Sequence, residues 1–292
     1  MDTRDVLDNS GHIELPGRGT TFARWSLRYP MRPTLMLLHG WTATSDLNWQ
    51  ASYPELADHY NVITLDHHGH GRGIRRDDPF TLSGCADDAA ALARKLGVRS
   101  VVAVGYSMGG AVAQLMWRQH RDLVRGLVLC ATGATFNETV RERAVFTAAA
   151  AAAMAARALP SSLRAKAAMR IMQGQRGGQI DDWVAEQVLL HDWLAIVQAG
   201  QDIGAHDARP WLHTVDAPTG VVMNAWDEVV PAVRQRELAD LIPHASRHLV
   251  DGGHPVCVAH PDRFVPVLLE ALAGVTERSK RRGLTRELRA AG

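Results

Sequence analysis

The stretch SVVAVGYSMGG, residues 100–110, decides how the rest of the chain is read. Its first half is a continuous apolar run, which reads as a strand buried on both faces. Its second half opens SMGGAVAQLMWRQH (107–120), with apolar residues at helical spacing. Between them, Gly105-Tyr106-Ser107-Met108-Gly109 fits the pattern G-x-S-x-G. A turn this sharp between strand and helix forces its serine into a strained backbone conformation. Glycine on either side removes the clashes that a Cβ would make. The hydroxyl then stands above the strand end, beside unpaired N–H groups and the positive end of the helix dipole. Glycine and serine are common, so the five-residue pattern alone also fits an ordinary tight turn. The strand–turn–helix context separates the two readings and makes Ser107 a candidate nucleophile.

Working outward, other apolar runs end in polar or glycine-rich turns. TLMLL (34–38) ends at HGW, and NVITLD (61–66) at HHGHGRG. VRGLVLC (124–130) follows the helix after Ser107. TGVVMN (219–224) precedes AWDEVVP, and SRHLV (246–250) precedes DGGH. SGCADDAAALARKLG (83–97) and PAVRQRELADLI (231–242) carry helical patterns. Strands alternating with helices predict an α/β sheet covered on both faces. HIELPGRGTTFARWSL (12–27) predicts a hairpin at one sheet edge. In such sheets, ligands bind outside the carboxyl ends of the strands, so the turns should gather at one site.

A serine hydroxyl needs a base, and the chain has 14 histidines from which to choose it. His254 follows the last predicted strand and stands in DGGHP. His39 in LHGW is expected to shape its own turn. His67, His68 and His70 are close together, but no other ligand stands at a recognisable metal spacing. No metal site is expected. The histidine in turn needs an orienting carboxylate. Asp227, after the penultimate predicted strand, is the first choice and Glu228 the alternative. Asp251 is too close to His254 in sequence to fold back onto its ring. The order is therefore Ser107, Asp227, His254, as in the Ser…acid…His series of one hydrolase superfamily.

With LHGW, DHHGHGRG, GYSMGG, WDEVVP and GGHPVCVAHPDRF in this order, the sequence resembles the α/β-hydrolase fold family over about residues 12–273. The resemblance implies a mostly parallel eight-stranded sheet with helices on both faces and a helical cap over the site. It also implies an oxyanion hole from the backbone N–H groups of Trp41 and Met108. One position departs from many relatives: Gly73 stands where they carry serine.

No strand pattern occurs between about 134 and 212. The expected organisation is a core of residues 12–133 and 213–273, a cap of 134–212 and a basic tail of 274–292. The alanine run 148–153 predicts a helix in the cap, through propensity or to leave room for a substrate. QGQRGGQ (173–179) suits a hinge. Trp183 and Trp193 are read as packing contacts.

The chain has 292 residues and a formal charge of +1, so nothing in its balance calls for nucleic acid. Residues 277–289 hold six basic and two acidic side chains, which reads as a solvated helix end or disordered extension. Three isolated cysteines fit a reducing compartment. The first residues lack the pattern of a signal peptide, and no run reaches the ~20 apolar residues of a membrane span. The expectation is a cytoplasmic enzyme without stable membrane insertion and without a cofactor. Its expected reaction is cleavage of an apolar or acyl-bearing ester through an acyl-enzyme. Carbon–carbon bond hydrolysis, cofactor-free perhydrolysis, acyl transfer and a non-catalytic receptor on the same fold are the alternatives. Oligomeric state is not legible.

Overall fold

The computed structural model describes residues 3–136, 148, 151 and 182–291. An eight-stranded sheet runs through it in the order β1-β2-β4-β3-β5-β6-β7-β8. β1 (Asn9–Leu15) and β2 (Gly19–Ser26) form the expected hairpin at one edge. Gly17 and Gly19 turn it with φ of 71° and 112°, which side chains rarely adopt. β2 meets β4 (Asn61–Leu65) antiparallel. All later pairings are parallel, through β3 (Thr34–Leu38), β5 (Val101–Tyr106), β6 (Val124–Cys130), β7 (Thr219–Asn224) and β8 (Ser246–Val250).

The strands are covered on both faces because their side chains alternate. Leu35 and Leu37 join Val102, Val128, Phe264 and Leu268 on one side. Met36 and Leu38 join Ala103, Leu127, Ala89 and Val112 on the other. The helices on the second side include α3 (Leu82–Lys95) and α4 (Met108–Gln119), which follow α1 (Ser45–Trp49) and α2 (Tyr53–His59) in the chain. α3 has Thr81 as N-cap, accepting from the Gly84 N–H, and Arg94 and Lys95 in its last turn.

α5 (Asp182–Leu189), α6 (Trp193–Ala205) and α7 (Arg209–Leu212) precede β7. α6 is capped by Asp192, whose carboxylate accepts from the Leu194 N–H at 2.9 Å. It is tied to the core through Gln198, which accepts from the Phe80 N–H, and Asp202, which accepts from the Leu82 N–H. In the expected alanine helix, Ala148 and Ala151 are helical and exposed. The rest of that run, and the QGQRGGQ loop, lie outside the described residues. Trp193 sets its ring edge against His191.

α8 (Ala232–Leu241), α9 (Val256–Ala259) and α10 (Pro261–Ala291) complete the chain. α10 runs without a break past residue 273, where the basic tail was expected to begin. The reason is side-chain anchoring of its basic stretch. Arg278 donates to His244 O and Thr219 O at 2.9 Å, the Ser279 hydroxyl donates to Arg125 O at 2.7 Å, and Arg282 pairs with Asp216. Cys85, Cys130 and Cys257 are buried, and none of them is in a disulfide. Among the described residues, no helix is long and apolar enough to cross a membrane.

Candidate active site

β5 ends at Tyr106 and α4 begins at Met108, so Ser107 is the whole of the turn. Its φ of 54° and ψ of −117° lie outside the regions open to ordinary residues. Such a conformation costs of order 1–3 kcal/mol and persists only where its surroundings over-determine it. Here they do. The Ser107 N–H donates to Cys130 O at 2.9 Å. Its carbonyl accepts from the Gly110 N–H and the Thr132 hydroxyl, both at 2.8 Å. The flanking glycines are sterically required. A Cβ on Gly105 would fall 2.1 Å from Gly109 O, and one on Gly109 would fall 2.1 Å from Leu38 O.

Asp227 is buried just beyond β7. One carboxylate oxygen, Oδ1, accepts from the backbone N–H groups of Val229 at 2.9 Å and Val230 at 2.8 Å. The other, Oδ2, accepts from Gln235 Nε2 at 3.2 Å and Asn224 Nδ2 at 3.3 Å. His254, beyond β8, brings Nδ1 to 2.8 Å from Oδ2 and 3.0 Å from Oδ1. An ionised carboxylate only accepts, so Nδ1 carries the proton. Nε2 is then the acceptor, and it stands 3.1 Å from Ser107 Oγ. Residues 107, 227 and 254 thus form one hydrogen-bonded line across three strand ends. Glu228 is exposed. Asp251 instead accepts from the Trp226 indole at 2.9 Å.

The turn after β3 abuts the serine: a Cβ on Gly40 would lie 3.5 Å from Ser107 Cβ. Trp41 follows, its indole N–H donating to Ile196 O of α6 at 2.9 Å. Met108 is the first helical residue of α4, where a backbone N–H has no acceptor within the helix. Met108 follows the serine directly, and Trp41 follows Gly40, whose backbone abuts it.

Two other histidines, His39 and His191, tie turns together. The His67 N–H donates to His39 Nε2 at 2.9 Å, and His39 Nδ1 donates to Gly40 O at 2.8 Å, which joins the turns after β3 and β4. Burial holds His39 below the ordinary imidazole range, and pushes His67 and His70 well below it. His191, just before α6, accepts from the Gly71 N–H at 2.9 Å and donates to Thr42 O at 3.1 Å. Among the described residues, no group of three or more His, Cys, Asp or Glu side chains could hold a metal ion.

The model of the alpha/beta hydrolase fold family matches residues 33–186. The chain belongs to the α/β-hydrolase fold family, and it is a hydrolase. A poly(3-hydroxyalkanoate) depolymerase of Ectopseudomonas oleovorans is 25% identical over 273 residues, 87% of this chain and 91% of that protein. A bifunctional esterase/perhydrolase of Acinetobacter calcoaceticus is 37% identical over 99 residues, 33% of this chain and 36% of that protein. Among solved structures, a hydrolase from Pseudomonas aeruginosa PA01 superposes with a TM-score of 0.77 at 23% identity. That match covers 91% of this chain and 98% of the other, and it speaks for the fold alone.

Within this α/β-hydrolase, sequence reasoning missed the residues that hold the three loops together: Asn224, Gln235 and the Tyr106 hydroxyl. Tyr106 donates to His254 O at 2.5 Å and accepts from Asn224 Nδ2 at 3.1 Å. No short pattern marks these contacts, because each partner is far away in sequence or on another element. The one available signal was a polar side chain, Gln235, on the inward face of a helix that opens beside the acid.

Proposed function

We propose that this protein hydrolyses a carboxylic ester of an apolar or acyl-bearing small molecule through an acyl-enzyme. Ser107 is the nucleophile, His254 the base and Asp227 the group that fixes and stabilises the imidazole. What supports this most is the single hydrogen-bonded line from Asp227 Oδ2 through His254 to Ser107 Oγ. Ser107 Oγ attacks the carbonyl carbon as His254 Nε2 takes its proton. The N–H groups of Trp41 and Met108 stabilise the oxyanion, each worth about 3 kcal/mol. His254 then gives the proton to the leaving alcohol. Water, deprotonated by the same nitrogen, attacks the acyl carbon, and His254 returns that proton to Ser107 Oγ as the acyl–oxygen bond breaks. This sequence calls for no cofactor and no metal.

Residues 134–212 act as a cap in this reading, with residues 12–133 and 213–273 as the core. α6 supports that division by reaching the turns after β3 and β4, through Trp41 and through the Asp192 N–H donating to Gly69 O.

A second reading keeps the same acyl-enzyme but lets hydrogen peroxide replace water, releasing a peracid. The match to the Acinetobacter esterase/perhydrolase favours carrying it. p-Nitrophenyl esters of increasing acyl length test the hydrolase, and addition of peroxide tests the branch. A fluorophosphonate should label Ser107 and no other residue. Labelling that survives Ser107→Ala, or wild-type protein that turns over no ester, would remove the proposal.

A further inference from the structure

We infer that Gln235 is a positioning residue that fixes the angle at which Asp227 meets His254, a role that rests on the hydrolase reading above. Gln235 sits in the first turns of α8 and is fully buried. Its Oε1 accepts from the Asn224 N–H at 3.0 Å. Its Nε2 donates to Val230 O at 2.7 Å and to Asp227 Oδ2 at 3.2 Å. Both amide hydrogens are used, and the amide has one orientation. Turned over, its oxygen would face a carbonyl and a carboxylate, and its nitrogen would face an N–H.

The consequence is a carboxylate gripped at both ends. Backbone N–H groups hold Oδ1, and Gln235 holds Oδ2, the oxygen nearer to His254 Nδ1. Rotation of the carboxylate about its Cβ–Cγ bond would break donors on both sides. Asn224 extends the grip to the other two loops. Its Nδ2 lies 3.1 Å from Gly253 O, beside His254, and 3.1 Å from the Tyr106 phenol, beside Ser107. Its Oδ1 is buried without a partner among the described residues, so the donor end orients this amide. Gln235 fixes Asn224 through the backbone and Asp227 through the side chain. It therefore touches both branches, which Asn224 Nδ2 also joins by reaching Asp227 Oδ2 at 3.3 Å.

Two variants and one spectroscopic signal test this. Gln235→Met keeps the volume and removes all three bonds. The kcat for a p-nitrophenyl ester should fall about 10- to 100-fold, the scale of a modest misplacement of a reacting group, while KM changes by less than about two-fold. Gln235→Glu keeps the shape and, once ionised, sets a second carboxylate beside Asp227 Oδ2. The titratable groups that face this carboxylate are His254, from the loop after β8, and the Tyr106 phenol, from β5. An added negative charge there favours the imidazolium, so the acid limb of the kcat/KM profile should move to higher pH. The low-field proton resonance of His254 Nδ1–H, assigned by its loss in His254→Ala, should shift in both variants.

Lower melting temperatures with unchanged kcat, pH profile and resonance would overturn the role and leave Gln235 a packing residue. If Gln235→Met fails to fold, the Glu variant decides through its profile and resonance. If wild-type protein cleaves no ester, the hydrolase reading fails. The resonance, which needs only Asp227 and His254, still decides the positioning role.

Discussion

Replacing Gly200 by alanine puts a methyl group where the indole of Trp41 already lies. The added Cβ would be 2.7 Å from Trp41 Cζ2 and 3.1 Å from Cη2. An aromatic ring cannot bend out of the way, so the indole or α6 must shift. The indole is tied to the same helix by its N–H bond to Ile196 O, worth about 1 kcal/mol, and a shift strains that bond. The backbone N–H proposed to hold the oxyanion belongs to this same residue. Complete loss of one such donor costs about 10²- to 10³-fold in kcat. A donor displaced by a few tenths of an ångström keeps part of its effect, so the expected loss is about 10- to 100-fold. Stability should move little. Alanine in place of glycine gains about 1 kcal/mol of helix propensity, which offsets part of an overpacking cost of about 1–3 kcal/mol. Steady-state kinetics on a short p-nitrophenyl ester, beside a melting curve, gives both numbers. A double-mutant comparison locates the cause: with Trp41→Ala in place, the Gly200 change should add less than about two-fold. Wild-type kcat in Gly200→Ala, or losses that simply multiply in the double variant, would refute the coupling between α6 and the Trp41 loop.

Ser107→Ala should stay folded and lose up to about 10⁶-fold in kcat, and its turn should remain strained because alanine keeps the Cβ. Stopped assays with an active-site probe as control measure the residual rate. Asp227→Asn should lower turnover by about 10³- to 10⁴-fold, because the imidazole tautomer is no longer fixed. Glu228→Gln, on an exposed side chain, should leave turnover near wild type, and a larger loss there than at Asp227 would move the acid by one residue. Acid should destabilise the fold through its buried histidines. Burial lowers His191 and His206 from 6.5 to about 4, so between these values the unfolded chain binds protons that the folded chain does not. The stability each confers is full above about pH 6.5 and is lost as pH falls toward 4, about 3 kcal/mol apiece. Urea midpoints should drop steadily over that window, and a flat series from pH 7 to 4.5 would contradict the burial of both rings.

The sheet was legible because each strand carries its own evidence. TLMLL, VRGLVLC, TGVVMN and SRHLV coincide with β3, β6, β7 and β8. A run of apolar, β-branched residues closed by a polar turn leaves a buried parallel strand few alternatives. SRHLV is the instructive exception, since β8 is an edge strand and Leu249 is exposed. Its alternation of half-buried and exposed residues fits a strand with one covered face. The helix after Pro261 was legible at its start but not in its extent. The charge of residues 277–289 argues for solvent, and only contacts with Thr219, His244 and Arg125, from distant parts of the chain, show where that face goes.

The candidate site divides along the same physical line. Ser107, Asp227 and His254 each follow a strand, so a rule about strand ends suffices to collect them. The elbow glycines are legible for a stronger reason: their necessity comes from atoms within a few residues or on the adjacent strand, as with Gly109 against Leu38 O. Gln235 and Gly200 are different. Gln235 matters because three acceptors and donors, from the end of β7 and the turn after it, converge on one helical position. Gly200 matters because an indole 159 positions earlier occupies the space of its missing Cβ. Neither carries a decisive local pattern: a polar side chain on an inward helix face is a weak signal, and a glycine reads only as a weak helix former. Sequence therefore names the groups positioned to do chemistry. The groups that hold those in place emerge only when the chain closes on itself, and a substitution at them should separate rate from stability in ways that no motif foretells.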